Sequence, residues 1–353
     1  MRGAVRFASV GKVAAVVLAV GLFAATIANA DLARVGSLVG RAGPWIALGL
    51  LPYALAVLVD ATGWRTLLGN VSSPPMTALV RVRLRCDSFG ATLPGGALIA
   101  ESIAPSWLRR WMPLDAGIAA VAGRKCFVGL AEALYILASF AVGFSVLAAR
   151  GAALPWVVLG LGLGMLALFG GTALALASGS TAARIHRILA SVPIRAVRDR
   201  IEARARGFHS TDARLGALFR SSPARLAVGC VFFVGAWSLE SVETWLLLRL
   251  VGVDLSLRAV FAFEASVSLL RSVGCFAPGG LGVQDLGYVA ALRALGVPDA
   301  VTAGAAFILL KRAKELAWSL VGYATLLVPR PASNRAEPGH RPPLPQVLGE
   351  ARS

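Results

Sequence analysis

The sequence predicts an all-α polytopic membrane protein, with about six transmembrane helices plus two re-entrant broken-helix hairpins in inverted repeats. Three observations predict it. Of 353 residues, 57% are hydrophobic and only 15% charged, against about 25% charged in ordinary globular chains. Six stretches are apolar over the roughly 20 residues that cross a bilayer. Two Pro-Gly-Gly breaks lie in similar, equally spaced surroundings.

The first apolar stretch is 11–30. Arg2, Arg6 and Lys12 precede it, and it ends Ala28-Asn29-Ala30. A cleaved signal peptide shares this pattern. An uncleaved helix is the preferred reading, because a polytopic chain needs no removable signal. The second stretch, 44–63, carries Asp60 beside Trp64-Arg65, which reads as an acid near the interface with its head reaching for water.

Region 77–113 is too apolar for a loop and too broken for a span. Leu93-Pro94-Gly95-Gly96 interrupts it, where proline removes a donor and glycine removes stiffness. Two half-helices folded back as a hairpin fit this pattern, because broken backbone at membrane depth is tolerated only inside protein or beside water. A short extramembrane loop between interfacial helices is the competing reading.

Spans 126–149 and 154–177 follow, the latter with Gly160-x-x-x-Gly164, a close-packing pattern. Residues 178–225 then hold ten Arg against Asp199, Glu202 and Asp212. By the positive-inside rule this loop, the N-terminus and the tail with Arg330, Arg335 and Arg341 are cytoplasmic. The net charge of +17 thus lies mainly between spans, where it orients the chain and meets anionic headgroups. Nucleic acid is not an expected partner.

Span 225–249 leads into a second broken region, 257–297, centred on Ala277-Pro278-Gly279-Gly280, and then span 300–328. The two broken regions match. Pro94 stands 21 residues before Asp115, and Pro278 stands 21 before Asp299. Each break follows a helix with an inner arginine, Arg85 or Arg271. Each precedes a helix with a basic cluster and an acid: Arg124, Lys125 and Glu132 in the first, Lys311, Arg312, Lys314 and Glu315 in the second. Orientation makes the two units inverted, an architecture of transporters. The tail, 329–353, is rich in Pro and polar residues and reads as disordered.

Asp60, Glu132, Glu240, Glu243, Glu264, Arg271, Lys311, Arg312, Lys314 and Glu315 all fall within apolar stretches. Such charges cost about 2.5–3.5 kcal/mol each at a helix centre on insertion scales. They serve either as register-fixing ion pairs or as a substrate pathway. Function is favoured for Arg312 with Glu315 and for Arg124 with Glu132. Lys311 and Glu315 share a helix face. Positive charge in a dry cavity suits an anionic group such as a phosphate.

Cys86, Cys126, Cys230 and Cys275 are scattered, and His186, His209 and His340 lie in polar stretches, so neither metal nor disulfide framework is expected. No P-loop, G-x-S-x-G or H-E-x-x-H motif occurs, so no enzyme activity and no cofactor is expected.

Gly63-Trp64-Arg65-Thr66-Leu67-Leu68, Leu93-Pro94-Gly95-Gly96 with Glu101, and Pro278-Gly279-Gly280-Leu281-Gly282-Val283-Gln284-Asp285 together resemble the transmembrane region of the lysylphosphatidylglycerol synthase family, also called flippase-like domain proteins. The resemblance covers residues 10–328. It implies a flippase-like transmembrane domain over 1–328 with the basic loop 178–225 cytoplasmic. It also implies a site drawn from the two breaks, with Gln284 and Asp285, and the charges that follow them.

Members of the family include the flippase part of lysylphosphatidylglycerol synthases, proteins encoded with hopanoid biosynthesis and proteins linked to glycolipid or glycan assembly. The resemblance therefore implies movement of an anionic, glycosylated or isoprenoid lipid across a bacterial inner membrane. The alternative is a non-transporting partner of a lipid-modifying enzyme. No aminoacyl-transferase domain follows the membrane region, so lysine transfer is not expected. The sequence does not fix an oligomeric state.

Overall fold

A computed structural model describes residues 17–328, apart from 70–73, 150–152, 182, 185–204, 221 and 274–276. Among these residues every regular element is helical. The tail 329–353 and most of the Arg-rich segment lie outside them.

Helix α1 (Val17–Ala28) is followed by α2 (Leu32–Ala42), which Asp31 caps by accepting a hydrogen bond from the Arg34 amide at 3.0 Å. A 3-10 turn over Gly43–Gly49, with Pro44 in its first turn, joins α2 to α3 (Leu50–Leu68). The span expected at 44–63 is therefore the later part of a longer helical run, Leu32–Leu68.

Helix α4 (Met76–Thr92) ends at the first break, and α5 (Gly96–Trp107) leaves it. Long helix α6 (Leu114–Ala148) and α7 (Leu154–Ala177) follow, then α8 (Ala205–Phe219) and α9 (Pro223–Leu250). Helix α10 (Leu257–Val273), the second break with a 3-10 turn at Pro278–Gly280, α11 (Val283–Ala294) and α12 (Ala300–Leu327) complete the chain.

Among the described residues, four helical runs are long and apolar enough to cross a membrane: Leu32–Leu68, Leu114–Ala148, Leu154–Ala177 and Pro223–Leu250. Helix α12 has the length, with 28 residues, but Lys311, Arg312, Lys314 and Glu315 interrupt its apolar character. The described part of the first expected span, α1, is a shorter apolar helix.

The repeat is visible in the helix lengths. Each break joins a 17-residue helix to a 12-residue one, α4 to α5 and α10 to α11. At 1.5 Å per residue the shorter helices reach only about 18 Å, well under a hydrocarbon core of about 30 Å. They do not cross it.

Packing is reciprocal as well. Helix α4 of the first unit lies on α12 of the second, α10 of the second lies on α6 of the first, and α3 lies against α9. Two glycines permit the crossed contacts. A Cβ on Gly322 would come within 2.5 Å of the Leu84 carbonyl, and one on Gly143 within 2.8 Å of the Ala262 Cβ. The backbones touch there because no side chain intervenes. Gly160 and Gly164, expected as packing residues, face open space. It is Gly162 that faces Leu137 and Ile136 on α6.

One buried cluster surrounds Phe263, Tyr288 and Phe307, whose rings pack 5.1–6.2 Å apart. Another surrounds Trp64, which is 2% exposed and donates its indole N–H to the Ala120 carbonyl at 3.1 Å. The Gly-Trp-Arg motif thus ties α3 to α6.

Candidate functional site

Both breaks are built by glycines at positive φ. Gly95 (φ 66°) starts α5, and Gly279 (φ 56°), Gly280 (φ 67°) and Gly282 (φ 78°) carry the chain from Pro278 into α11. Side-chain-bearing residues rarely adopt these angles. Gly96 lies so close to the Phe89 carbonyl that a Cβ has no room. Pro94, Gly95, Gly96 and Pro278 shape the turns; Gly279 and Gly280 also line a cavity.

That cavity holds about 670 Å³ and lies between the units, walled by α3, α4, α5, α6, α7, α9, the second break, the start of α11 and α12. Its lining is charged. Glu101, Lys125, Arg124, Glu132, Gln284, Lys311, Lys314 and Glu315, all anticipated from sequence, meet here. So do Tyr53, Asp60, Arg83, Asp87, Glu240 and Glu243, together with Trp237, Trp318 and Phe169.

Several anticipated roles change. Asp60 does not reach for water. It is 4% exposed and takes a forked hydrogen bond from Arg124, at 2.7 Å to each oxygen from Nη2. Arg124 therefore takes Asp60, from α3, as its carboxylate rather than Glu132 on its own helix. Its guanidinium also lies 5.2 Å over the Trp64 ring. Burial explains the difference: a carboxylate inside a helical bundle needs a bidentate partner, and arginine supplies one.

The hydrogen bond of Lys311 runs to α9. This lysine donates to Thr244 at 3.1 Å and lies 3.6 Å from Glu264, whose carboxylate also accepts from Thr244. Glu315 instead accepts from Arg312 at 2.7 Å. Arg85 turns away from the cavity, donating to the Thr325 carbonyl at 2.6 Å and lying over the Trp107 ring. The side chain of Arg271 lies outside the described residues.

Arg312 ties α12 to the second break through Asp285 and Gly279 and also binds Glu315 on its own helix. It binds Asp285 at 2.6 Å, Glu315 at 2.7 Å and the Gly279 carbonyl at 2.9 Å. Asp285, fully buried, accepts from the Gly282 amide at 2.8 Å and so caps α11. The first unit has the same arrangement with less burial: Glu101, on α5, binds Lys125 at 2.8 Å. Glu101 and Asp285 each stand seven residues after the proline of their break. A further matched bridge joins the first helix of each unit to its last, Asp60 to Arg124 and Glu243 to Lys314 at 2.7 Å.

On α4, Arg83 reaches Asp87 four residues on, and Tyr53 donates to Asp87 at 2.6 Å. The i,i+4 spacing of Arg83 and Asp87 was the available sequence signal for this cluster. Among the described residues, three buried polar atoms of the lining make no hydrogen bond: Glu243 Oε2, Trp318 Nε1 and Arg83 Nε, the last lying 3.8 Å from Asp60 Oδ2.

The family model described as the lysylphosphatidylglycerol synthase transmembrane region matches residues 12–320. The chain belongs to this family. Membership makes it a membrane protein of lipid-related processes. The matched segment takes in both units and every residue of the cavity. No curated protein and no solved structure matches the chain.

Proposed function

We propose that the protein translocates a lipid across the bacterial inner membrane, its termini cytoplasmic, with the headgroup passing through the cavity between the two units. The observation that carries this reading is the cavity itself: about 670 Å³ of mostly apolar-walled space into which charged side chains project, inside a bundle of largely apolar helices. Charges are kept at such depth where a pathway needs them. Glu243 Oε2 and Trp318 Nε1, which make no hydrogen bond among the described residues, offer a headgroup an acceptor and a donor, each costly to leave unmade. Apolar surfaces beside the cavity suit the acyl or isoprenoid chains. The action is binding and release, without covalent chemistry.

Each cation of the lining has a carboxylate partner, so an anionic headgroup has to exchange for one. Lys125 is the easiest to free, with its side chain 51% exposed and that of Glu101 24%. It is the first contact for a phosphate, and Arg312, enclosed by three partners, supports the break behind it. The test is reconstitution into phosphatidylglycerol–phosphatidylethanolamine vesicles with NBD-labelled phosphatidylglycerol. Dithionite should bleach more than the outer-leaflet half in proteoliposomes, and only half in empty vesicles or with Lys125→Glu. Equal bleaching with and without protein would refute translocation of this lipid.

A further inference from the structure

The two breaks are matched in sequence but not in cover. Leu98 and Gly282 each stand four residues after the proline of their break. Over Gly282 lies α1: a Cβ there would come within 2.4 Å of the Ala19 carbonyl and 2.8 Å of the Leu22 Cβ. Phe23 and Ile27 continue that contact onto the cluster of Tyr288 and Leu292. Leu98, by contrast, is 61% exposed, and Ile99 and Ile103 are exposed beside it. Among the described residues α5 packs chiefly on α4 and α6, which leaves these side chains as one outward strip.

The strip runs from the break to a headgroup layer. The 12 residues of α5 span about 18 Å, a little more than half of a hydrocarbon core of about 30 Å. At its far end come Trp107, Arg109, Arg110 and Trp111, with Arg109 and Arg110 exposed and the Arg110 guanidinium 5.9 Å over the Trp111 ring. Trp and Arg at a helix end mark the membrane interface, where arginine meets anionic headgroups. An extended acyl chain of that leaflet covers the same depth as α5. One edge of the strip opens on the cavity. Glu101, one turn after Leu98, lines the cavity and binds Lys125 at 2.8 Å. The ammonium and the apolar strip therefore share a rim.

Leu98 also decides what fits there. Helix α1 reaches Gly282 because glycine lets two backbones approach, as helices in lipid prefer. Branched side chains at Leu98, Ile99 and Ile103 hold a second helix away, whereas a flexible chain moulds to them. The hydroxyls of the strip are used within α5: Ser102 donates to the Leu98 carbonyl at 2.7 Å and Ser106 to that of Ile103 at 2.6 Å.

We infer that α5 seats an acyl chain of a phosphate-bearing lipid along Leu98, Ile99 and Ile103, in the leaflet on the Arg109–Arg110 side, with the headgroup turned into the cavity at Lys125. That this lipid is then moved rests on the translocase reading above; the seat itself does not. Under the topology proposed above the leaflet is the cytoplasmic one. Loading therefore takes place there, while α1 closes the matched position of the second unit.

The test uses the protein in phosphatidylcholine nanodiscs with a phosphatidylglycerol probe carrying a diazirine midway along one acyl chain, and maps the cross-links by peptide mass spectrometry. Leu163, Leu168 and Leu174 on α7 are exposed too and report bulk lipid. Labelling of Leu98–Ile103 is expected about tenfold above that of α7, as a site favoured over bulk lipid by about 1.4 kcal/mol gives. Unlabelled phosphatidylglycerol should remove the difference, and water-soluble glycerophosphoglycerol should not. Lys125→Glu should bring α5 down to the level of α7 and leave α7 unchanged; should that variant fail to fold, the wild-type competition decides. Equal labelling of the two helices, or an excess on α5 that unlabelled lipid does not reduce, means bulk lipid and overturns the seat. Competition by the soluble headgroup assigns the site to a free phosphate and overturns it as well, as does a weakly labelled α5 that cross-links to a second copy of the chain. Saturable labelling of α5 in a protein that passes no lipid in the vesicle assay keeps the seat and removes translocation. Bleaching beyond half without preferred labelling of α5 overturns the seat alone.

Discussion

Arg312 and Asp285 hold the second break in shape: the guanidinium that binds the buried Asp285 at 2.6 Å also clasps the Gly279 carbonyl at 2.9 Å. One side chain on α12 thereby fixes both the turn and the start of α11. Arg312→Gln is expected to lower stability by about 3–5 kcal/mol, since it strands a buried carboxylate. Adding Asp285→Asn should recover part of that loss, though Glu315 stays without its arginine. Thermal unfolding in detergent of the two variants checks this. An Arg312→Gln protein as stable as wild type would mean the pair does not hold the break.

Gly95 and Gly279 separate backbone strain from crowding. Both have positive φ, but a Cβ on Gly95 meets nothing within 4 Å, whereas one on Gly279 lies 3.1 Å from Arg312 Nη1. Gly95→Ala should cost only the left-handed conformation, about 1–2 kcal/mol. Gly279→Ala should cost more and should disturb Arg312 as well. Melting temperatures of the two single variants give the comparison; equal losses would show that crowding is negligible.

Much of this architecture was legible because prolines and glycines announce breaks wherever they fall. The equal 21-residue spacings and the charge clusters after them gave the repeat, and the matched 17- and 12-residue helices follow from it. The pairings were not legible. Asp60 and Arg124 are 64 residues apart, and nothing local distinguishes an acid beside Trp64-Arg65 that faces water from one that faces α6. Helical periodicity places Lys311 and Glu315 on one face, but Lys311 takes its partners from α9 and α10 while Glu315 pairs with Arg312 on its own helix, and only packing decides that. The Arg83–Asp87–Tyr53 cluster shows in the sequence only as an i,i+4 pair on α4, because Tyr53 comes from α3.

Close backbone contact should make Gly143 far less replaceable than Gly160. A Cβ on Gly143 lies 2.8 Å from that of Ala262, where α6 crosses α10, while Gly160 has open space around it. Gly143→Val forces the two units apart, at about 1–3 kcal/mol for overpacking. Gly160→Val, on an open face of α7, loses nothing in packing. Yield and monodispersity on size exclusion should fall for the first only. Loss for the second instead would show that another helix covers α7.

Glu101 and Asp285 occupy equivalent places in the two units, yet their substitutions should differ in kind. Asp285 is fully buried, caps α11 and binds Arg312. Asp285→Asn leaves that guanidinium with one carboxylate, at a cost of several kcal/mol by the buried-pair argument. Glu101 sits in a partly open pair with Lys125, and pairs that reach solvent contribute about 0–1 kcal/mol. Glu101→Gln should therefore leave folding intact and free Lys125 inside the cavity. If Lys125 is the headgroup contact, removing its competitor raises affinity for an anionic lipid; if the pair only fixes helix register, affinity stays unchanged. Thermal stability of both variants, with binding of NBD-labelled phosphatidylglycerol in detergent, distinguishes these outcomes. A stable Glu101→Gln protein with unaltered lipid binding would remove Lys125 from the proposed path.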